Sequence, residues 1–563
     1  MQNGHGQRKN GSLRHKKRGS QQHQRTISLA ELQARVKAAN GENLGRLNGN
    51  INGSGSDGAA DGITDSEGGL LTPSTGSPTS KSSVSIQGAN GATNNSNNMA
   101  GRGHGRKVSS PMAPPFMVSA PGKVIVFGEH AVVHGKAALA AAISLRSYLL
   151  VTTLSKSHRT VTLNFRDIDL DYTWDIDSLP WDLFHHPSKK KMYYDLVTEL
   201  DPDLLEAIRP HIANISTDKP DNIRKIHQSS ATAFLYLFLS LGSPDSHAAI
   251  YTLRSTIPPG AGLGSSASVC VCLSTALLLQ IRTLAGPHPD QPPDEAEVQI
   301  ERINRWAFVG ELAIHGNPSG VDNTVSSGGK AVLFRRGDYS KPPSVTPLNN
   351  IPELPLLLVN TRQSRSTAVE VAKVGKLRET HREVTDAMLD AIDKVTLSAN
   401  EMITSDAFTT DRDSAFDRLG TLFRVNHGLL TSLGVSHPRL ERIRELVDQA
   451  GVGWTKLTGA GGGGCAITLL RPDADPAAVE QLKQQLDAEG FERYETTLGG
   501  DGVGVLYPAV LRNGITDEAG GEEIDQIKFE NAEGNDGIER LVGVGGGAHE
   551  KRQGWKFWKR AVR

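Results

Sequence analysis

Cysteine is nearly absent from this chain: Cys270, Cys272 and Cys465 are the whole complement in 563 residues. A disulfide framework and the usual zinc-ligand spacings are thereby excluded. Cys270 and Cys272 fall in an apolar stretch and read as core packing. Missing too is any apolar run of membrane-spanning length, and the start of the chain lacks the apolar segment of a secretory leader. Nor does charge of one sign dominate. Lys and Arg number 61 against 62 Asp and Glu, a formal net charge of −1, so no bulk field recruits nucleic acid or an anionic bilayer. The expectation is a cytoplasmic protein with no nucleic-acid partner and no stable membrane insertion.

Apolar residues are scarce at both ends. Residues 1–116 are rich in Gly, Ser and Asn, and offer too little apolar surface to offset the entropy of ordering them. They read as a low-complexity, disordered extension. Within it Leu29, Leu32 and Val36 recur at helical spacing, which predicts a short amphipathic helix from Ile27 to Ala39. The basic cluster Arg14, Lys16, Lys17 and Arg18 reads as a solvated tail, the alternative being a nuclear-import or anionic-surface patch. Thr26, Ser28 and Ser109 follow basic residues, where basic-directed protein kinases act. At the other end, residues 509–563 read as an acidic, Gly-rich flexible tether with a basic aromatic tail, Gly554 to Arg560. Trp555, Phe557 and Trp558 suit docking onto the folded body; the alternative is an anionic membrane surface.

Between these ends the pattern is α+β. Apolar runs at Lys123–Phe127, Lys136–Leu154, Ala248–Ser255 and Leu356–Asn360 read as strands. Asn222–Leu241, Ala296–Ile314 and the stretches at about 366–405 and 411–434 read as helices. From 437 to 508 the chain alternates helix, strand, glycine loop, strand, helix and strand. Two domains are expected, 117–345 and 346–508, with Pro-rich surface insertions at 282–297 and 337–353.

One segment stands out: Pro258, Pro259, Gly260, Ala261, Gly262, Leu263, Gly264, Ser265, Ser266 and Ala267, leading into an apolar helical stretch. Glycine spacing of this kind lets the backbone approach a ligand, and Ser265 and Ser266 stand where a helix N-cap belongs. The unpaired N–H groups and the helix dipole then converge on one spot, which predicts a phosphate cradle. It is not a Walker A loop, because no Lys-Ser or Lys-Thr closes it.

Three further segments accompany the loop. Residues 118–136 read Val-Ser-Ala-Pro-Gly-Lys-Val-Ile-Val-Phe-Gly-Glu-His-Ala-Val-Val-His-Gly-Lys, residues 311–323 read Glu-Leu-Ala-Ile-His-Gly-Asn-Pro-Ser-Gly-Val-Asp-Asn, and residues 455–465 read Thr-Lys-Leu-Thr-Gly-Ala-Gly-Gly-Gly-Gly-Cys. In this order the four motifs resemble the small-molecule kinases named for galactokinase, homoserine kinase, mevalonate kinase and phosphomevalonate kinase (GHMP). The first two of these runs are most similar to the mevalonate kinases. The resemblance spans residues 117 to about 508. It implies a ribosomal-protein-S5-like N-terminal domain that binds ATP and a ferredoxin-like C-terminal domain.

The same resemblance implies transfer of the γ-phosphate of ATP to the 5-hydroxyl of (R)-mevalonate, in isoprenoid and sterol synthesis. Asp322 would be the base and Lys123 would stabilise charge, with Thr367 placing the alcohol. Ser266 and Glu311 would bind Mg²⁺, and Glu129, His130 and the loop Gly459, Ala460, Gly461, Gly462 would line the acceptor site. His134 and His315 read as structural. A homodimer and feedback inhibition by prenyl diphosphates are further implications. The alternatives are a relative acting on another small alcohol, or a non-catalytic sensor on the same fold. Gly459–Gly464 also fits a dinucleotide-binding glycine pattern, but the residues after it read as a strand instead of the required helix. Val269 stands where animal members of the family often place an aromatic residue, so the adenine contacts transfer least.

Overall fold

The first strand is long because its residues are buried on both faces. β1 (Phe116–Phe127) and β2 (Ala137–Thr153) run antiparallel with almost every side chain inside. The computed structural model describes residues 114–337, 343–364, 366–511, 522–544 and 552–560. The N-terminal extension up to residue 113, with its expected helix, basic cluster and hydroxyl sites, lies outside the described residues. So do Arg365 and, within the expected tether, residues 512–521 and 545–551.

β3 (Thr160–Phe165) and β4 (Leu170–Asp175) form a hairpin that joins β5 (Ala249–Ser255), itself paired with β2. β6 (Ala331–Arg335) pairs with the other end of β2. Three helices, Asp221–Leu241, Ser265–Gln280 and Pro293–His315, cover this sheet and share one apolar core with it. Alanines in β2 matter here. Ala140 and Ala142 are small enough for a short helix, Val321–Gly328, to pack its Val321 and Val325 against the strand.

β7 (Ser344–Leu348) pairs with β6, so part of the expected insertion at 337–353 is sheet. The other insertion, 282–297, already contains the first turn of the Pro293–His315 helix, where Pro at the start is compatible with helix geometry. In the second half, β8 (Leu354–Asn360), β9 (Gly453–Leu457), β10 (Cys465–Leu470) and β11 (Glu492–Leu498) form an antiparallel layer in the order β11-β8-β10-β9. Helices cover it, including Pro438–Ala450 and Pro476–Ala488. The long helix expected at 366–405 is broken at His381 into Thr367–Thr380 and Arg382–Thr404. A single β11–β2 pairing, Leu498 with Ile143, makes the two layers one continuous sheet.

The C-terminal segment departs most from expectation. β12 (Gly504–Leu506) adds to β1 on the edge opposite β2. β13 (Val510–Leu511) then pairs with β14 (Glu522–Glu523), and two short helices, Gln526–Glu530 and Gly534–Leu541, follow. Residues 522–544 are therefore packed structure, not tether. Ile524, Phe529, Ile538 and Val542 are spaced through an acidic, glycine-rich stretch and bury themselves against Met117, Tyr148 and Leu150. A composition averaged over the whole segment hides those four.

The aromatic tail docks on the body. β15 (Lys556–Phe557) pairs with β12. The indole N–H of Trp555 donates to the Val542 carbonyl at 2.9 Å and that of Trp558 to Gln299 Oε1 at 3.1 Å. Both indoles are buried, which removes the membrane alternative for them. Arg146 locks the junction: its guanidinium donates to Ser119 Oγ and to the carbonyls of Ser119, Asp501 and Gly502. Among the described residues no helix is long and apolar enough to cross a membrane.

Candidate active site

The phosphate loop leaves β5 and turns into the helix Ser265–Gln280. Its N-cap is Gly264, in the left-handed region at φ 73°, so the cap stands one residue earlier than Ser265. A side chain at Gly264 would be strained by that backbone and crowded by Lys123. A Cβ there would stand 3.0 Å from Lys123 Cγ and 3.7 Å from Asp322 Oδ2.

Lys123 is carried to the loop by a register shift in the β1–β2 ladder between Pro121 and Lys123. Such a bulge re-aims a side chain. Its backbone N–H donates to the Leu263 carbonyl at 2.8 Å, and its ammonium reaches the Gly262 carbonyl at 3.4 Å. The same ammonium lies 3.4 Å from Asp322 Oδ1. Asp322 sits in the first turn of the Val321–Gly328 helix, where the dipole favours a carboxylate. Next to it in sequence, Asn323 is buried and donates to Asn304 Oδ1 at 2.6 Å, which ties this helix to the Pro293–His315 helix.

Glu311 comes from that longer helix and is only 3 % exposed. Burial and the neighbouring Asp322 carboxylate push its carboxyl up to about 7, against the Ser266 hydroxyl, the Cys270 thiol and Lys123, which oppose the rise. Ser266 Oγ also lies 3.0 Å from His315 Nε2, so His315 is brought to the site. Among the described residues no cluster of three His, Cys, Asp or Glu is placed to hold a metal. Ser266 and Glu311 nevertheless offer hard oxygens beside the phosphate loop, a set that fits a Mg²⁺ carried mainly by phosphate oxygens and water.

Beside this group Glu129 is fully buried. Its carboxylate pairs with the Lys456 ammonium and accepts from Asn426 Nδ2 at 3.0 Å. Burial raises the Glu129 carboxyl and lowers the Lys456 ammonium, and their contact opposes both changes. His130 adopts φ 60°, an unusual backbone for a non-glycine residue, and its Nε2 donates to the Ala460 carbonyl at 2.8 Å. That bond places the proton on Nε2, and burial lowers the imidazole pKa, so the ring is neutral near pH 7. Gly459 to Gly464 arch over this point with positive φ at five of the six positions, Ala460 being the exception. A Cβ at Gly462 would collide with Glu370, 2.4 Å from its Oε1.

Most sequence-predicted residues therefore converge, in two groups. Lys123, Ser266, Glu311 and Asp322 meet at the loop; Glu129, His130 and Ala460 meet beside it. Thr367 stands apart: it opens the Thr367–Thr380 helix, is exposed, and makes no hydrogen bond to Asp322. Sequence reasoning missed Lys456, Asn426 and Glu370. Lys456 had a signal, since it is a charged residue at the centre of an apolar strand next to the glycine loop. Glu370 and Asn426 had none.

Beyond the phosphate loop a cleft of about 610 Å³ continues along the Ser265–Gln280 helix. Ser265, Ser266 and Val269 line one wall, and Phe165, Ile168 and Ile226 another. A flat apolar body with a charged end fits such a space.

Two family descriptions match the chain: GHMP kinases N terminal domain over residues 229–329 and GHMP kinases C terminal over residues 410–490. The first contains the phosphate loop, Glu311 and Asp322. The fold and the site thus define a GHMP kinase, an enzyme that phosphorylates an alcohol with ATP. The chain is similar to the mevalonate kinase of Aspergillus fumigatus, at 73 % identity over 496 residues, 88 % of this chain and 90 % of that one. It is similar to the mevalonate kinase of Gibberella zeae at 67 % identity over 455 residues, 81 % and 89 % of the two chains. With the human mevalonate kinase it shares 36 % identity over 397 residues, 69 % and 94 % of the two chains. The chain belongs to the mevalonate kinase family.

Proposed function

We propose that this enzyme transfers the γ-phosphate of ATP to the 5-hydroxyl of (R)-mevalonate, giving 5-phosphomevalonate. The observation that carries the reading is the Lys123–Asp322 pair set directly against Gly264 of the phosphate loop. Phosphoryl transfer needs alignment and charge neutralisation more than covalent help. The loop 258–267 holds the β- and γ-phosphates through the N–H groups that follow its two prolines, those of Gly260 to Ala267. Asp322 accepts the proton of the attacking alcohol, and Lys123, 3.4 Å from that carboxylate, offsets negative charge as it develops. Mg²⁺, held by Ser266 and Glu311, would neutralise phosphate charge when bound.

Residues 117–345 serve as the N-terminal, ATP-binding domain and 346–508 as the C-terminal domain, with the acceptor site lined from both. Glu129, held by Lys456 and Asn426, fixes the backbone of His130, which lines the acceptor site with Gly459–Gly462. Thr367 is kept as the residue that places the alcohol, on the family resemblance alone. A cytoplasmic homodimer subject to competition by prenyl diphosphates completes the proposal; gel filtration and inhibition by farnesyl diphosphate test these parts. The main test is ADP release with Mg²⁺–ATP and mevalonate, phosphomevalonate, homoserine or galactose. Turnover on mevalonate alone is expected. Nucleotide binding without turnover on any acceptor would instead support a sensor.

A further inference from the structure

The nucleotide cleft has a contributor from far outside the family motifs. Asn535, in the Gly534–Leu541 helix of the C-terminal segment, lines it beside Ser255 and Thr256. The Asn535 side chain is half-buried and donates through Nδ2 to the Thr256 carbonyl at 3.1 Å, two residues before Pro258 of the phosphate loop. That bond uses one carboxamide donor. Oδ1 and the second N–H hold no other protein partner among the described residues.

The segment is fixed there by a buried cation. Arg254, 7 % exposed, donates from Nη1 to the carbonyls of Phe529 and Glu530 at 2.9 and 2.7 Å and from Nη2 to that of Ala532 at 2.9 Å. These are the end carbonyls of the Gln526–Glu530 helix and the turn after it, where a guanidinium satisfies otherwise unpaired acceptors. Its Nε bonds Asp167 Oδ1 at 2.9 Å, and Asp167 Oδ2 accepts from the Ser255 N–H at 2.6 Å. One network thus joins the C-terminal segment, the cleft wall and the strand that delivers the phosphate loop.

We propose that Asn535 is a nucleotide-binding residue, its open carboxamide edge hydrogen-bonding the nucleoside of ATP, so that residues 522–544 complete the nucleotide site. The nucleoside is chosen over the phosphates because Asn535 carries no charge and is held on the Thr256 carbonyl, ahead of the phosphate loop. The inference rests on the cleft being the ATP site.

The test is calorimetric titration of full-length protein with ADP, without any alcohol. Asn535→Ala is expected to weaken ADP about 10-fold, the scale of one or two lost hydrogen bonds. Asn531→Ala is the control, because that exposed side chain only bonds the Ile527 carbonyl; it should leave affinity within about twofold of the parent. If Asn535→Ala fails to fold, amide hydrogen exchange of residues 526–541 in the unaltered protein decides: saturating ADP should slow it. Unchanged affinity in a folded Asn535→Ala variant, or exchange indifferent to ADP, overturns the proposal. ADP binding of the expected kind in a protein that does not phosphorylate mevalonate would uphold this inference and sink the acceptor assignment. A protein that does not bind ADP sinks both.

Discussion

Lys123 and Asp322 are separated by most of the N-terminal half of the fold, yet their charged atoms lie 3.4 Å apart. One arrives on a bulged strand and the other on the first turn of a short helix. Asp322→Asn keeps the shape and removes the proton acceptor. It should lower kcat by about 10³-fold, within the usual range for a general base, while ADP affinity measured by calorimetry stays near the parent value. An Asp322→Asn enzyme with ordinary kcat would exclude the assigned role.

Glu311 gives a pH dependence with a defined sign. Its carboxyl titrates near 7 in the folded protein against 4.5 ordinarily, so the folded state holds this proton more tightly than the unfolded chain. The stability this contributes is complete below about 4.5 and is lost as pH rises through about 7, by up to ~3 kcal/mol. Urea unfolding in EDTA from pH 5 to 8 should show the decline. Glu311→Gln, neutral throughout, should flatten it and be the more stable protein at pH 8.

The Glu129–Lys456 pair is wholly inside. Lys456→Met strands a buried carboxylate and should cost about 3–5 kcal/mol in chemical denaturation. Adding Glu129→Gln should recover much of that loss. A double variant no better than the single would show that the apolar replacement, not the lost charge, does the damage.

Docking of the tail is testable in the same way. Trp558 is 2 % exposed and contributes to the main N-terminal core. Trp558→Ala should reduce unfolding free energy by about 3–5 kcal/mol, as for other large buried aromatics. A change below 1 kcal/mol would mean the tail leaves the body in solution.

The sequence makes the kinase core legible because its chemistry is concentrated in short motifs with few other readings. The phosphate loop, Lys123, Glu311 and Asp322 could each be placed before any coordinates, and so could the main strands and helices. What stayed hidden depends on distant pairing. Lys456 meets Glu129 across 327 positions, and no local pattern encodes that partnership. Residues 522–544 read as a tether because glycines and acids outnumber the five buried apolar anchors, Val544 included, that fold them. The cap stands at Gly264, one residue before the serines that cap more commonly, because the backbone there is left-handed, which favours glycine, and Lys123 approaches closely.

The β15-β12-β1 edge has a bearing on how the protein comes off the ribosome. Met117 pairs with Leu506, and Val505 with Lys556, so the first strand acquires its outer neighbour only once residue 506 is made, and that neighbour acquires its own only after residue 557. Vectorial synthesis therefore leaves β1 with an open edge while nearly four hundred residues are added, roughly the span from 117 to 506, a period in which chaperone cover matters most.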